Sequence, residues 1–282
     1  MPVRSLVATL TLLACGAAAA QDALPVPVLH TVDGRQVEIL TGGRPGRLGT
    51  LVFENGLRET IETWNGVLKA VAPQARVFAY NRPGYGRSEG TPQARDGATV
   101  VEDLRHLLKE SGAVPPYVLV GHSLGGLYMQ EFARAHPDEV AGVVLVDAVY
   151  PGVIKRSEDF PLATRLARHV FFSSTVNREI DQIHATGEAV LALPPTDSIP
   201  MVRLFNVPHS AGAIAVDFGV TDDDPAIRQR VEALYPNARK VIVDSDHRIQ
   251  EANPAFVVRA IEDVVAAGHA HEVAQRQGTS AQ

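Results

Sequence analysis

Residues 121–126 read Gly121-His122-Ser123-Leu124-Gly125-Gly126, directly after the apolar run 117–120 and at the start of a segment with helical spacing. A serine hydroxyl is a poor nucleophile unless it is raised into the open beside a base. A sharp strand-to-helix turn raises it, but the backbone is then so tight that the residues two before and two after must be very small. Gly121 and Gly125 meet that need. A helix opening at Leu124 also aims its first N–H groups at the site, which favours developing negative charge. His122, one residue from Ser123 on a tight turn, points elsewhere and reads as structural.

Working outward, short apolar runs alternate with helical patterns. Residues 28–31 and 36–40 flank Asp33-Gly34, a hairpin-turn signal. Strands are expected at 50–53, 76–80 and 117–120, and helices at 100–109 and 124–135. The continuous apolar run 140–146 suits a parallel strand buried on both faces. Between 149 and 198 no strand appears, while 162–170 and 176–193 have helical character, so a helical cap insertion is expected there. The strand pattern resumes at 199–205, followed by a helix at 226–234, a strand at 239–243 and a helix at 254–265. This alternation predicts an α/β protein, a mostly parallel sheet with helices on both faces. The core is expected in two parts, 21–148 and 199–267, around the insertion, with 268–282 a polar, flexible tail.

Beyond 121–126, the stretches Tyr80-Asn81-Arg82-Pro83-Gly84-Tyr85-Gly86-Arg87-Ser88, Gly142-Val143-Val144-Leu145-Val146-Asp147-Ala148 and Asp246-His247-Arg248-Ile249-Gln250 carry a resemblance. From about residue 28 to 266 the chain resembles the α/β-hydrolase superfamily. The family usually has aspartate where Asn81 stands and glycine near Ser245 and Asp246. The resemblance implies that the base among the ten histidines is His247, which follows the last strand; His209 is the runner-up. His269 and His271 form a weak H-x-H pattern in the tail.

The acid that orients the imidazole is open between two places. Asp147 ends the strand 140–146, a place from which members with helical insertions sometimes take their acid. Asp222 lies nearer the more usual place but needs a long loop to return, as does Asp217; Asp222 to Asp224 also suit the N-cap of the helix beginning at Pro225. The strand 199–205 is followed by Asn206, not an acid. The oxyanion hole should use the backbone N–H of Leu124 and, by family correspondence, that of Leu57 in Glu54-Asn55-Gly56-Leu57. The carboxylate of Glu54 is expected to point away from the developing oxyanion.

Hydrophobic residues make up 45% of the 282 and charged residues 21%, ordinary for a soluble globular protein. The formal charge of -6 disfavours nucleic acid as a partner. Arg4, an apolar stretch to Ala14 and small residues up to Ala20 read as an export signal covering 1–20, implying a periplasmic or secreted protein. The rival is a lipoprotein box ending at Cys15, which would leave a lipid anchor at the chain's one cysteine. No transmembrane helix is expected. The chemistry implied is acyl transfer through Ser123 and His247 on a small-molecule substrate, carboxylic esters first and thioesters or amides behind, with no metal or organic cofactor. A serine disfavours the dehalogenase and epoxide-hydrolase branches of the family, which attack with aspartate. An acyltransferase using the same triad, or a non-catalytic binding protein on the same fold, are the competing readings. Phe171, Phe172, Ile180, Ile183 and Leu191 either line an acyl pocket or pack the insertion onto the core.

Overall fold

The structure, a computed structural model, describes residues 26–207 and 224–279, with side chains as far as Ala270. The expected export signal with Cys15, and the candidates His209, Asp217 and Asp222, lie outside the described residues. Among the described residues eight strands form one sheet: β1 (Val28–Val32), β2 (Arg35–Gly43), β3 (Thr50–Glu54), β4 (Arg76–Tyr80), β5 (Tyr117–His122), β6 (Val140–Val146), β7 (Met201–Asn206) and β8 (Arg239–Val243). Their order is β1-β2-β4-β3-β5-β6-β7-β8. From β4 to β8 every pairing is parallel; β2 runs antiparallel to both its neighbours.

The helices are α1 (Asn65–Val71), α2 (Gly97–Glu110), α3 (Leu124–Ala135), α4 (Leu162–Phe171), α5 (Ser174–Ala192), α6 (Pro225–Leu234), α7 (Ile249–Ala252) and α8 (Pro254–Thr279). Successive strand side chains point to opposite faces, so each central strand feeds two cores. Val52, Leu119, Val143 and Leu145 face the core shared with α2, α3 and α5. Leu51, Phe53, Val118, Val120, Val144 and Val146 face the core shared with α1 and α8. That is why these strands read as unbroken apolar runs. None of the described helices is long and apolar enough to cross a membrane.

Two segments differ from the sequence expectation. Residues from 268 continue α8 to Thr279 instead of forming a flexible tail; Ala, Glu, Gln and Arg are good helix formers and simply extend a helix already nucleated on the core. A short 3-10 turn (Ile61–Trp64) leading into α1 was not expected, because Gly66 and Pro73 interrupt its pattern. The turn buries Ile61 and Trp64, and α1 buries Val67 and Leu68.

Between β6 and β7 the chain carries α4 and α5 and no strand. Ile180 and Ile183 of α5 are buried in the core rather than lining an open pocket. Phe171 is 76% exposed, and Leu162, Leu166 and Val170 share the open face of α4. Phe172 packs partly against the core, its ring 4.9 Å from the Arg58 guanidinium.

Candidate active site

Ser123 sits between β5 and α3 with φ 51° and ψ −121°. L-residues rarely adopt that conformation, and holding it costs of order 1–3 kcal/mol. The surroundings enforce it. A Cβ on Gly121 would lie 2.7 Å from the Gly125 carbonyl oxygen, and one on Gly125 would lie 2.5 Å from the carbonyl oxygens of Glu54 and Asn55. The same closeness sets the turn after β3 against the first turn of α3. Ser123 N–H donates to Val146 O at 3.1 Å, and Val149 N–H donates to Ser123 O at 2.9 Å. The serine turn is thereby pinned to the end of β6, where Asp147 follows.

Asp147 also has a positive φ, 42°. Its Oδ2 lies 2.7 Å from His247 Nδ1. The Asn206 backbone N–H donates to Asp147 Oδ1 at 3.2 Å, and its amide, with nitrogen toward Asp147, donates to both carboxylate oxygens at 3.1 and 3.2 Å. The amide at the end of β7 therefore holds the acid supplied by β6. Of the candidate acids, Asp147 is the one the described structure pairs with His247. Burial opposes charge on His247, but the hydrogen bond and charge of Asp147, with the charge of Glu59, outweigh it and raise its pKa. The ring's outer edge is open to solvent while protein surrounds the rest. No hydrogen bond among the described residues joins Ser123 Oγ to His247, a contact that commonly tightens only with substrate bound.

Beneath these groups lies a buried ionic cluster. Arg82 Nη1 donates to Glu54 Oε1 and to Asn55 O, both at 2.6 Å, and Nη2 donates to Gly56 O at 3.0 Å. On its other side Arg82 donates to both oxygens of Glu179 on α5, at 2.9 and 3.1 Å. Arg95 and the Tyr85 hydroxyl also donate to Glu179. The Glu54 carboxylate accepts from Arg82 and from the Tyr80 hydroxyl, and burial pushes its pKa up. Burial also opposes charge on Glu179, but Arg82 and Arg95 outweigh it and hold its carboxyl below the usual range. The cluster ties the insertion to the turn that carries Leu57. Arg82, Arg248 and Glu54 stand in stretches that the sequence already singles out, whereas Glu59, Arg95 and Glu179 are lone charges with no motif around them.

Both departures from the family pattern find a reason here. Asn81 Nδ2 donates to Glu38 at 2.8 Å while its Oδ1 accepts from Ile61 N–H at 2.9 Å. An aspartate at 81 would set a second carboxylate against buried Glu38. Asp246 accepts from Arg248 N–H at 2.9 Å and so shapes the turn that carries His247.

Among the described residues, no group of three or more His, Cys, Asp or Glu side chains is arranged to hold a metal ion. A depression of about 760 Å³ lies at the opposite end of the sheet, beside Leu48, Val118 and Pro200, remote from Ser123.

Comparison with known proteins agrees with this layout. The α/β-hydrolase fold family model matches residues 49–185. The uncharacterised protein YqjL of Bacillus subtilis is 33% identical over 119 residues, 42% of this chain and 46% of that one. A soluble epoxide hydrolase of Corynebacterium sp. is 32% identical over 123 residues, covering 43% of this chain and 42% of that one. The chain thus matches less than half the length of these curated relatives. The crystal structure of Cfl2 from Burkholderia cenocepacia superposes with a TM-score of 0.61 at 20% identity, covering 83% of this chain and 94% of that one. A haloalkane dehalogenase variant from Bradyrhizobium elkanii gives 0.63 at 16%, covering 89% and 99%. Strand order and solved neighbours together give the chain the α/β-hydrolase fold, and the family model matches the part of it that carries Ser123.

Proposed function

We propose that the protein is a serine hydrolase that cleaves carboxylic esters through an acyl-enzyme. The observation that carries this reading is the 2.7 Å contact of His247 Nδ1 with Asp147, formed beside a strained serine at the carboxyl ends of β5 and β6. With Nδ1 bonded to the carboxylate, Nε2 is the nitrogen left to take the Ser123 proton. Ser123 Oγ then attacks the ester carbonyl, and the resulting oxyanion is met by the N–H groups of Leu124 and Leu57. One such donor typically contributes about 3 kcal/mol. His247 returns the proton to the departing alcohol, then activates water to release the acid and free Ser123.

A hydroxyl at position 123 supports acyl transfer over the reactions begun by an aspartate nucleophile. The order of charge, apolar core and small residues in 1–20 supports action outside the cytoplasm. Incubation with p-nitrophenyl esters of increasing chain length tests the proposal. Turnover to the free acid by the wild type, absent in Ser123→Ala, is expected; equal turnover by both would overturn it.

A further inference from the structure

Three loops that carry the site converge on one buried carboxylate. Glu59 Oε2 accepts from the Gly56 backbone N–H at 3.1 Å and contacts His122 Nδ1 at 2.7 Å, while Oε1 accepts from Arg248 Nε at 3.0 Å. His122 Nε2 lies 2.9 Å from the carbonyl oxygen of His247. A carbonyl oxygen can only accept, so Nε2 carries a proton and donates. The rings of His122 and His247 lie 4.6 Å apart. Glu59 is 5% exposed and His122 fully buried, so water competes for neither. A Cβ on Gly56 would stand 2.7 Å from Glu59 Oε2 and 2.9 Å from His122 Nδ1, so glycine is what lets the three meet.

We propose that Glu59 and His122 form a second carboxylate–imidazole pair whose role is positioning: it fixes the main chain of His247 and, at once, the Gly56-Leu57 turn. Asp147 holds the His247 side chain and His122 holds its backbone, so the ring is set from two directions. Burial opposes charge on Glu59, but the hydrogen bond and charge of His122, with Arg248 and the Gly56 N–H, outweigh it and hold the carboxyl below its ordinary range. The pair touches no reacting atom. It acts through geometry, where a displacement of about 1 Å can cost about 100-fold in rate. This inference rests on the acyl-transfer reading above.

The test compares Glu59→Gln, His122→Asn and His122→Gln with wild type and Ser123→Ala. It measures kcat and KM on a short p-nitrophenyl ester, and the low-field proton resonance of the His247 Nδ1–H bonded to Asp147. Asparagine can reach Glu59 only, whereas the glutamine amide can reach the His247 carbonyl. Glu59→Gln and His122→Asn should lower kcat about 100-fold with KM little changed, and should broaden the resonance, while His122→Gln loses only about tenfold. A folded Glu59→Gln with wild-type kcat and an unchanged resonance would overturn the proposal, as would equal behaviour of the two His122 variants. Failure of the wild type to show Ser123-dependent turnover would count against acyl transfer, and the resonance would then decide the positioning role by itself.

Discussion

Replacing Glu179 by glutamine removes one negative charge from a group of side chains that solvent does not reach. Glu179, Arg82 and Arg95 have side chains 0%, 1% and 2% exposed. Glu179 accepts from Arg82 at 2.9 and 3.1 Å, from Tyr85 at 2.7 Å, and from Arg95. After the substitution two guanidinium ions share a single carboxylate, Glu54, which bonds Arg82 alone of the two. Removing one partner from a buried pair costs about 3–5 kcal/mol, mainly because the survivor is left charged and dry. The glutamine oxygen keeps one hydrogen bond, so the lower end of that range is expected. Urea unfolding followed by circular dichroism would measure it. The double variant Glu179→Met with Arg95→Met leaves the neutral Arg82–Glu54 pair, and should recover to within about 2 kcal/mol of wild type. A loss below about 1 kcal/mol in Glu179→Gln, or a double variant less stable than the single, would refute this charge balance.

Asp147→Asn should lower kcat by up to about 10⁴-fold, since the imidazole loses its orienting acceptor. Because Asp147 supplies the main terms that raise His247, the acidic limb of the variant's kcat/KM profile should also move to lower pH; an unchanged limb would contradict the pairing. Ser123→Gly should abolish turnover yet raise stability by about 1–2 kcal/mol in thermal unfolding, because glycine tolerates φ 51°. Glu131 is raised from 4.5 to about 7 by burial, with the charge of Asp96 adding to it. Its folded-state pKa exceeds the unfolded one, so its contribution is complete below pH 4.5 and lost as pH rises through about 7. Glu131→Gln should flatten that decline and be more stable than wild type at pH 8, as urea midpoints across pH would show.

The parts legible in the sequence are those encoded locally. Tyr117 to Ala135 reads as strand, tight turn and helix because apolar period, glycine spacing and helix pattern all change within a few residues. The partner of His247 was not legible to the same degree, since Asp147 and Asp222 differ only in which loop folds back, a tertiary fact. Asn206 stands where the usual acid is missing, and in the structure it hydrogen-bonds Asp147, the acid supplied by the neighbouring strand. Glu59 and Glu179 escaped notice because a lone buried charge has no pattern until its partners, 63 and 97 residues away, are in place. Phe171, offered as a pocket or packing residue, is 76% exposed, because the sequence does not say which face of α4 meets the core.

The central claim is that Ser123 is a nucleophile activated by His247. Intact-mass analysis after treatment with a fluorophosphonate, with peptide mapping of the adduct, tests it most directly. The account predicts one adduct per chain, on Ser123, absent in Ser123→Ala and formed far more slowly in His247→Ala. An adduct on another residue, or labelling of His247→Ala at the wild-type rate, would contradict it.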